Sequence, residues 1–180
     1  RRDMALSPDE AYSFVLYQIS ALAGFCKAEG TALAHVKPHG QLYNRAAKDA
    51  ALAEAIAAAV HDFDPTLVIV GLAGGKLIEA GRAAGLATAQ EFFADRNYMT
   101  DGTLVPRKQE NAVIADEDFA VARVVRAVQE GIIEAVDGST IEVAADTICI
   151  HGDNVHALEF AKKIREALMQ AGVKLKPSCG

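Results

Sequence analysis

No apolar run in these 180 residues approaches the ~20 needed to span a bilayer; the longest lies around residues 66–73. A membrane-spanning role is therefore not expected. Clustered positive charge is missing as well: 18 Lys and Arg against 24 Asp and Glu leave a net charge of −6, with the cations scattered singly. That distribution offers no footprint for nucleic acid, which needs positive side chains grouped against phosphates. Cysteine is scarce and odd in number, with Cys26 in a helix-like run, Cys149 in a strand-like run and Cys179 in the tail. Such placement suits a reducing, cytoplasmic compartment better than a disulfide framework. The opening Arg1-Arg2-Asp3 carries no apolar signal core, so secretion is not expected and the natural start is expected upstream. What the chain does have is 51% hydrophobic residues, enough for the core of a single domain over residues 1–180.

The apolar residues fall into alternating helix and strand patterns. Ser7-Pro8-Asp9-Glu10 has the form of a capping box with proline in the first turn. Behind it Phe14, Val15, Ile19, Leu22, Phe25 and Cys26 keep helical spacing as one buried face, until Gly30 stops the helix. The short apolar run 31–36 reads as a strand covered on both faces, ended at Lys37 by Pro38. Residues 44–60 form an Ala-rich helical stretch with Leu52, Ile56 and Val60 on one face. Strand-like 66–71, a short helix after Gly74-Gly75 and strand-like 86–93 repeat the unit. Further on come a helix over 116–129 with Val121, Val124, Val125 and Val128 in register, a hairpin over 132–144 turning at Asp137-Gly138, and a last strand over 147–150. His151-Gly152-Asp153-Asn154 then caps a helix to Ala171 with Leu158, Ile164 and Leu168 inward. Strand, helix and strand in repetition predict an α/β fold with a parallel sheet or barrel.

In such folds ligands bind beyond the carboxyl ends of the strands, which singles out three loops. The first runs from Val36 to Asn44 and brings Lys37, His39, Tyr43 and Asn44 together behind a strand. Lys37 reads either as a cation for an anionic substrate or as a strand-end lysine whose stem covers apolar surface. His39, beside Gly40, is placed to move protons. The second loop, 91–107, holds Asp95, Arg96, Tyr98 and Arg107. Its bland reading is a connection pinned by its own Asp95–Arg96 or Asp101–Arg107 ion pairs, with Asp101-Gly102 as a turn. The third places a second His-Gly pair, His151-Gly152, at another strand end, followed by Asp153. Asp153 reads as a helix N-cap or as an orienting partner for an imidazole. His35 and His61 read as structural and His156 as surface.

Two other motifs are incomplete. Gly71-Leu72-Ala73-Gly74-Gly75-Lys76-Leu77 is one residue short of a phosphate loop and has Leu where Ser or Thr should meet magnesium, so no nucleotide site is expected there. His39, His151, Asp95 and Asp153 have the donor chemistry for a divalent metal, yet no ligand spacing imposes one.

The three loops resemble the LamB/YcsF family. Val36-Lys37-Pro38-His39-Gly40 with Leu42-Tyr43-Asn44, Phe93-Ala94-Asp95-Arg96 with Tyr98 and 101–107, and His151-Gly152-Asp153 stand in the family's order, and the match spans nearly the whole chain. Gln41 stands where Ala is more usual. The resemblance implies an irregular (β/α) barrel, polysaccharide-deacetylase-like, that in this chain lacks its N-terminal strands. It also implies ATP-dependent opening of the 5-oxo-L-proline lactam to L-glutamate, performed together with 5-oxoprolinase subunits B and C. On that reading His39, His151, Lys37, Asp95 and Asp153 are catalytic, and Arg96, Tyr98, Arg107, Asn44 and Tyr43 bind substrate. The catalytic reading also expects the His39 and His151 rings and the Lys37 ammonium to share one cavity. Competing readings are a stand-alone metal-dependent deacetylase or amidohydrolase, and a non-catalytic subunit that binds a small carboxylate.

Overall fold

The structure, a computed structural model, describes residues 4–152 and 156–177. The chain divides by its contacts into two compact units, one formed by the residues up to Gln90 and the other from Glu91 to Ser178.

The first unit opens with α1, Pro8–Ala28. The Ser7 side chain accepts from Glu10 N while the Glu10 carboxylate accepts from Ser7 N at 2.9 Å, so the capping box forms as its sequence requires. The buried face of α1 is Ala11, Val15 and Ile19, one ridge at four-residue spacing. This corrects the sequence expectation: Phe14, Leu22 and Phe25 are 47%, 55% and 72% exposed, and Tyr17 beside them is 72% exposed. The ridge lies on α3, Ala50–Phe63, whose Leu52, Ile56 and Val60 are fully buried. Each such side chain is worth about 1.5–3 kcal/mol of transfer free energy.

The Ala-rich stretch is two helices rather than one. After β1, His35–Val36, the short α2 covers Gly40–Ala46, and α3 starts afresh because the Asp49 carboxylate caps Leu52 N at 3.1 Å. β1 pairs in parallel with β2, Val68–Leu72, through His35 opposite Val68 and Val36 opposite Ile69. The expected six-residue strand is thus two residues long, and its His35 is exposed rather than covered. Behind β2 comes α4, Lys76–Ala83. Its Gly81 sits so close to the sheet that a Cβ there meets Thr88 Cγ2 at 2.9 Å. Thr88 belongs to β3, Ala87–Phe93, the strand within which the chain passes from one unit to the other.

In the second unit the end of β3 pairs in parallel with β6, Thr147–Cys149, placing Glu91, Phe92 and Phe93 opposite Thr147, Ile148 and Cys149. Between them lie α5, Glu117–Glu130, capped by Asp116, and an antiparallel hairpin of β4, Ile132–Glu134, and β5, Thr140–Glu142. The hairpin turns where expected, with Gly138 at φ 86° and the Asp137 carboxylate accepting from Ser139 N at 3.0 Å. α5 is buried through Ala120, Arg123, Val124 and Ala127, one position round from the expected valine face. The last helix, α6, spans Ala157–Gln170 and buries Phe160, Ile164 and Leu168. Leu158, expected inward, is 66% exposed. The expected cap at Asp153-Asn154 lies outside the described residues.

Candidate functional site

The second unit brings three of the expected site residues into contact. β3 and β6 run side by side with Phe93 opposite Cys149, and the chain past each strand end then carries Asp95 and His151. The Asp95 carboxylate reaches His151 Nδ1 at 2.7 Å through Oδ2 and 2.9 Å through Oδ1. Both side chains are about one-fifth exposed, protected yet open to a ligand. The Phe93 ring lies 5.7 Å from the imidazole, tilted by 34°, and limits its rotation. On the other edge of the ring, Arg107 Nη2 stands 2.7 Å from Nε2.

Arginine donates only, so the Nε2 that faces it accepts; the remaining ring proton then sits on Nδ1 and points at the carboxylate. The assigned network therefore describes a neutral imidazole oriented by Asp95, a common way of fixing a proton-transferring histidine.

The loop that carries Asp95 and Arg107 is tied to itself. Arg96 donates from Nε to Ala112 O at 3.0 Å and from Nη2 to Val105 O. Isolated bridges pair Arg96 with Val113 and Tyr98 with Leu104. The Tyr98 hydroxyl accepts from Phe93 N at 2.8 Å, and its ring stacks on Phe92 at 5.5 Å. Both Arg96 and Tyr98 were expected to bind substrate. At 4% and 1% exposed, their side chains instead hold the loop against the strand end. Burial, followed by the positive charge of Arg107, lowers the Arg96 pKa, and burial pushes the Tyr98 phenol well above its ordinary range. Asp101 accepts from Thr103 N at 2.9 Å with Gly102 at φ 77°, the turn the sequence suggested.

One buried group here was not anticipated. Arg123 is 6% exposed, lies 5.2 Å from the centroids of both Phe92 and Tyr98, and donates from Nη1 to Arg96 O at 2.9 Å. It thus clamps the start of the loop from beneath. Its sequence signal was available: it occupies the buried spacing 120, 123, 124, 127 of α5, where an apolar residue is normally found.

The first unit holds the other group. Lys37 Nζ lies 5.6 Å from the centroid of the buried Tyr43 ring, a cation–π contact. Asn44 donates from Nδ2 to Gln41 Oε1 at 3.3 Å. His39 is exposed at the N-cap position of α2 and makes no side-chain cap. The two His-Gly pairs also differ in backbone: Gly40 takes φ 62°, whereas Gly152 is not among the glycines with positive φ. Asp153 lies outside the described residues. Among the described residues no three His, Cys, Asp or Glu side chains come together as a metal-binding group. The incomplete phosphate-loop motif forms the end of β2 and the start of α4, where Lys76 pairs with Glu79 at 2.7 Å.

The LamB/YcsF family model matches residues 1–180, and the chain belongs to that family. Proteins named as the A-type subunit of 5-oxoprolinase from Geobacillus kaustophilus and Tolumonas auensis are 56% and 57% identical to it, each over 98% of this chain and 69% and 70% of their own length. The Bacillus subtilis protein of the same name is 54% identical over 97% of this chain and 68% of its own. A crystal structure described as the lactam utilization protein from Thermus thermophilus matches with a TM-score of 0.86 at 50% identity, covering 98% of this chain and 70% of that one. Among the described residues no helix is long and apolar enough to cross a membrane.

Proposed function

We propose that this chain is a hydrolase of a cyclic amide, the A-type subunit of a 5-oxoprolinase that opens 5-oxo-L-proline to L-glutamate. The observation that carries the reading is the Asp95–His151 pair at 2.7 Å, in a chain 54–57% identical to proteins of that name.

A lactam carbonyl is a weak electrophile, and its nitrogen is a poor leaving group until it gains a proton. Activation by phosphate answers the first difficulty and a positioned imidazole the second. ATP transfers its terminal phosphoryl group to the lactam oxygen, releasing ADP. Water adds to the activated carbon, the C–N bond breaks as the nitrogen takes up a proton, and the resulting acyl phosphate is hydrolysed to carboxylate and phosphate. His151, oriented by Asp95, takes the proton from water and returns one to the departing nitrogen. Arg107 meets the substrate carboxylate. The family resemblance adds Lys37 and His39 as further catalytic candidates, Tyr43 and Asn44 as substrate-binding candidates and Asp153 as a catalytic candidate. ATP enters as co-substrate of a complex with subunits B and C, in the cytoplasm, and the finer fold assignment is the family's irregular barrel.

Reconstitution tests this. The full-length protein, its partner subunits, 5-oxo-L-proline and ATP are combined, and glutamate is measured. Turnover should require every component and fall by about 10²-fold in His151→Ala; undiminished turnover in His151→Ala, His39→Ala and Lys37→Ala together would overturn the assignment.

A further inference from the structure

Arg107 occupies the one ring nitrogen through which His151 has to act. Nδ1 is committed to Asp95 at 2.7 Å, and Nε2 receives Arg107 Nη2 at 2.7 Å. In that arrangement the imidazole neither takes a proton from water nor passes one to a leaving nitrogen, because both events need the Nε2 lone pair. The guanidinium is an exposed side chain on a loop, whereas Arg96 is locked onto two backbone carbonyls close by. Of these two cations only Arg107 is placed to move onto an incoming anion.

Resting on the hydrolase reading above, we infer that Arg107 is a specificity gate: the substrate's own carboxylate draws its guanidinium off His151 Nε2 and so switches on the base. The exchange is favourable because a two-pronged arginine–carboxylate pair is stronger than a single hydrogen bond to a neutral imidazole. No net proton or electron is transferred in this step; one hydrogen-bond acceptor replaces another. A lactam ring without a carboxylate leaves Nε2 capped. Discrimination therefore appears in kcat as well as in KM, since an uncharged ring bound in the site still faces an inactive base.

The test has two readouts. Full-length protein carrying ¹⁵N-histidine is titrated with 5-oxo-L-proline or with 2-pyrrolidinone, the same ring lacking the carboxylate; the His151 signals are identified by their loss in His151→Gln. The acid should shift the Nε2 signal and 2-pyrrolidinone should leave it in place. In the complex with its partners and ATP, Arg107→Ala should weaken binding of the acid while narrowing the kcat preference for it over 2-pyrrolidinone by about tenfold or more, the scale of one charge-assisted hydrogen bond. Added formate should raise the turnover of 2-pyrrolidinone by the native protein. If the acid leaves Nε2 unmoved while glutamate is still formed, the gate is wrong and the hydrolase reading survives. If Nε2 responds but no glutamate forms, the gate stands as a carboxylate sensor and the hydrolase reading falls.

Discussion

Asp95 and His151 stand 56 positions apart in the chain, and their side chains meet at 2.7 Å because each lies two residues beyond a paired position, Phe93 and Cys149, on neighbouring parallel strands. The register of the sheet sets the geometry of the pair. Replacing Asp95 by Asn keeps the shape but removes the anionic acceptor, so the ring is free to adopt the other tautomer. Glutamate formation by the reconstituted complex should drop by about 10²-fold in kcat, with KM changed far less. The double variant with His151→Ala should be no worse than His151→Ala alone, and a full multiplicative loss would show that the two residues act separately.

Tyr98→Phe tests the loop's anchorage. The phenol oxygen accepts from Phe93 N at 2.8 Å in a site 1% exposed, so its loss removes one buried hydrogen bond, at about 0.5–1.5 kcal/mol. Chemical denaturation reads that difference. The same hydroxyl gives an alkaline signature: the unfolded phenol titrates near its ordinary value of 10.0, and burial raises the folded one above that. Above about pH 10 the unfolded chain releases a proton that the folded chain keeps. Stability from this group is unaffected at lower pH and declines as the pH rises further, a decline that Tyr98→Phe should lack.

Arg123→Ala should be among the more damaging single changes in the second unit. It empties a buried volume beside the stacked Phe92 and Tyr98 rings and strands the carbonyl of Arg96. A loss of about 2–4 kcal/mol is expected. Arg123→Met, which keeps much of the volume, should recover part of it; equal losses in both would assign the effect to the guanidinium's charge and hydrogen bond rather than to its volume.

Gly81→Ala sets two effects against each other. Alanine gains up to about 1 kcal/mol of helix propensity in α4, but its Cβ meets Thr88 Cγ2 at 2.9 Å, and such overpacking costs about 1–3 kcal/mol. Net destabilisation is expected, and Thr88→Ala in the same chain should reverse it. A stabilised single variant would mean that the strand yields.

Signals carried within a few residues were legible in the sequence. The Ser7–Glu10 box, the Asp137-Gly138 turn and the strand end at Phe93 fall where local pattern placed them, and the last strand stops at Cys149, one residue short of the expected Ile150. Asp95, His151 and Arg107 were singled out for standing beyond those strand ends, though which of them touch follows from register. Features set by distant neighbours were not legible. A run of alanines concealed the break before Asp49, since alanine fits a helix equally well on either side. The apolar face of α1 was drawn too wide because spacing reveals a stripe without revealing how much of it another element reaches. Arg96 and Tyr98 looked like ligand-binding groups because a charged or hydroxylated side chain in a loop has the same sequence signature whether it faces outward or satisfies the backbone behind it.

The aromatic row left on the outside of α1 has a practical consequence. Phe14, Tyr17 and Phe25, with Leu22 alongside, give these 180 residues a greasy stripe on an otherwise acidic molecule. Self-association through it is expected to follow concentration and salt: dilute, low-salt solutions should keep separate molecules apart through their shared negative charge, while concentrating the sample or screening that charge should let the stripes meet.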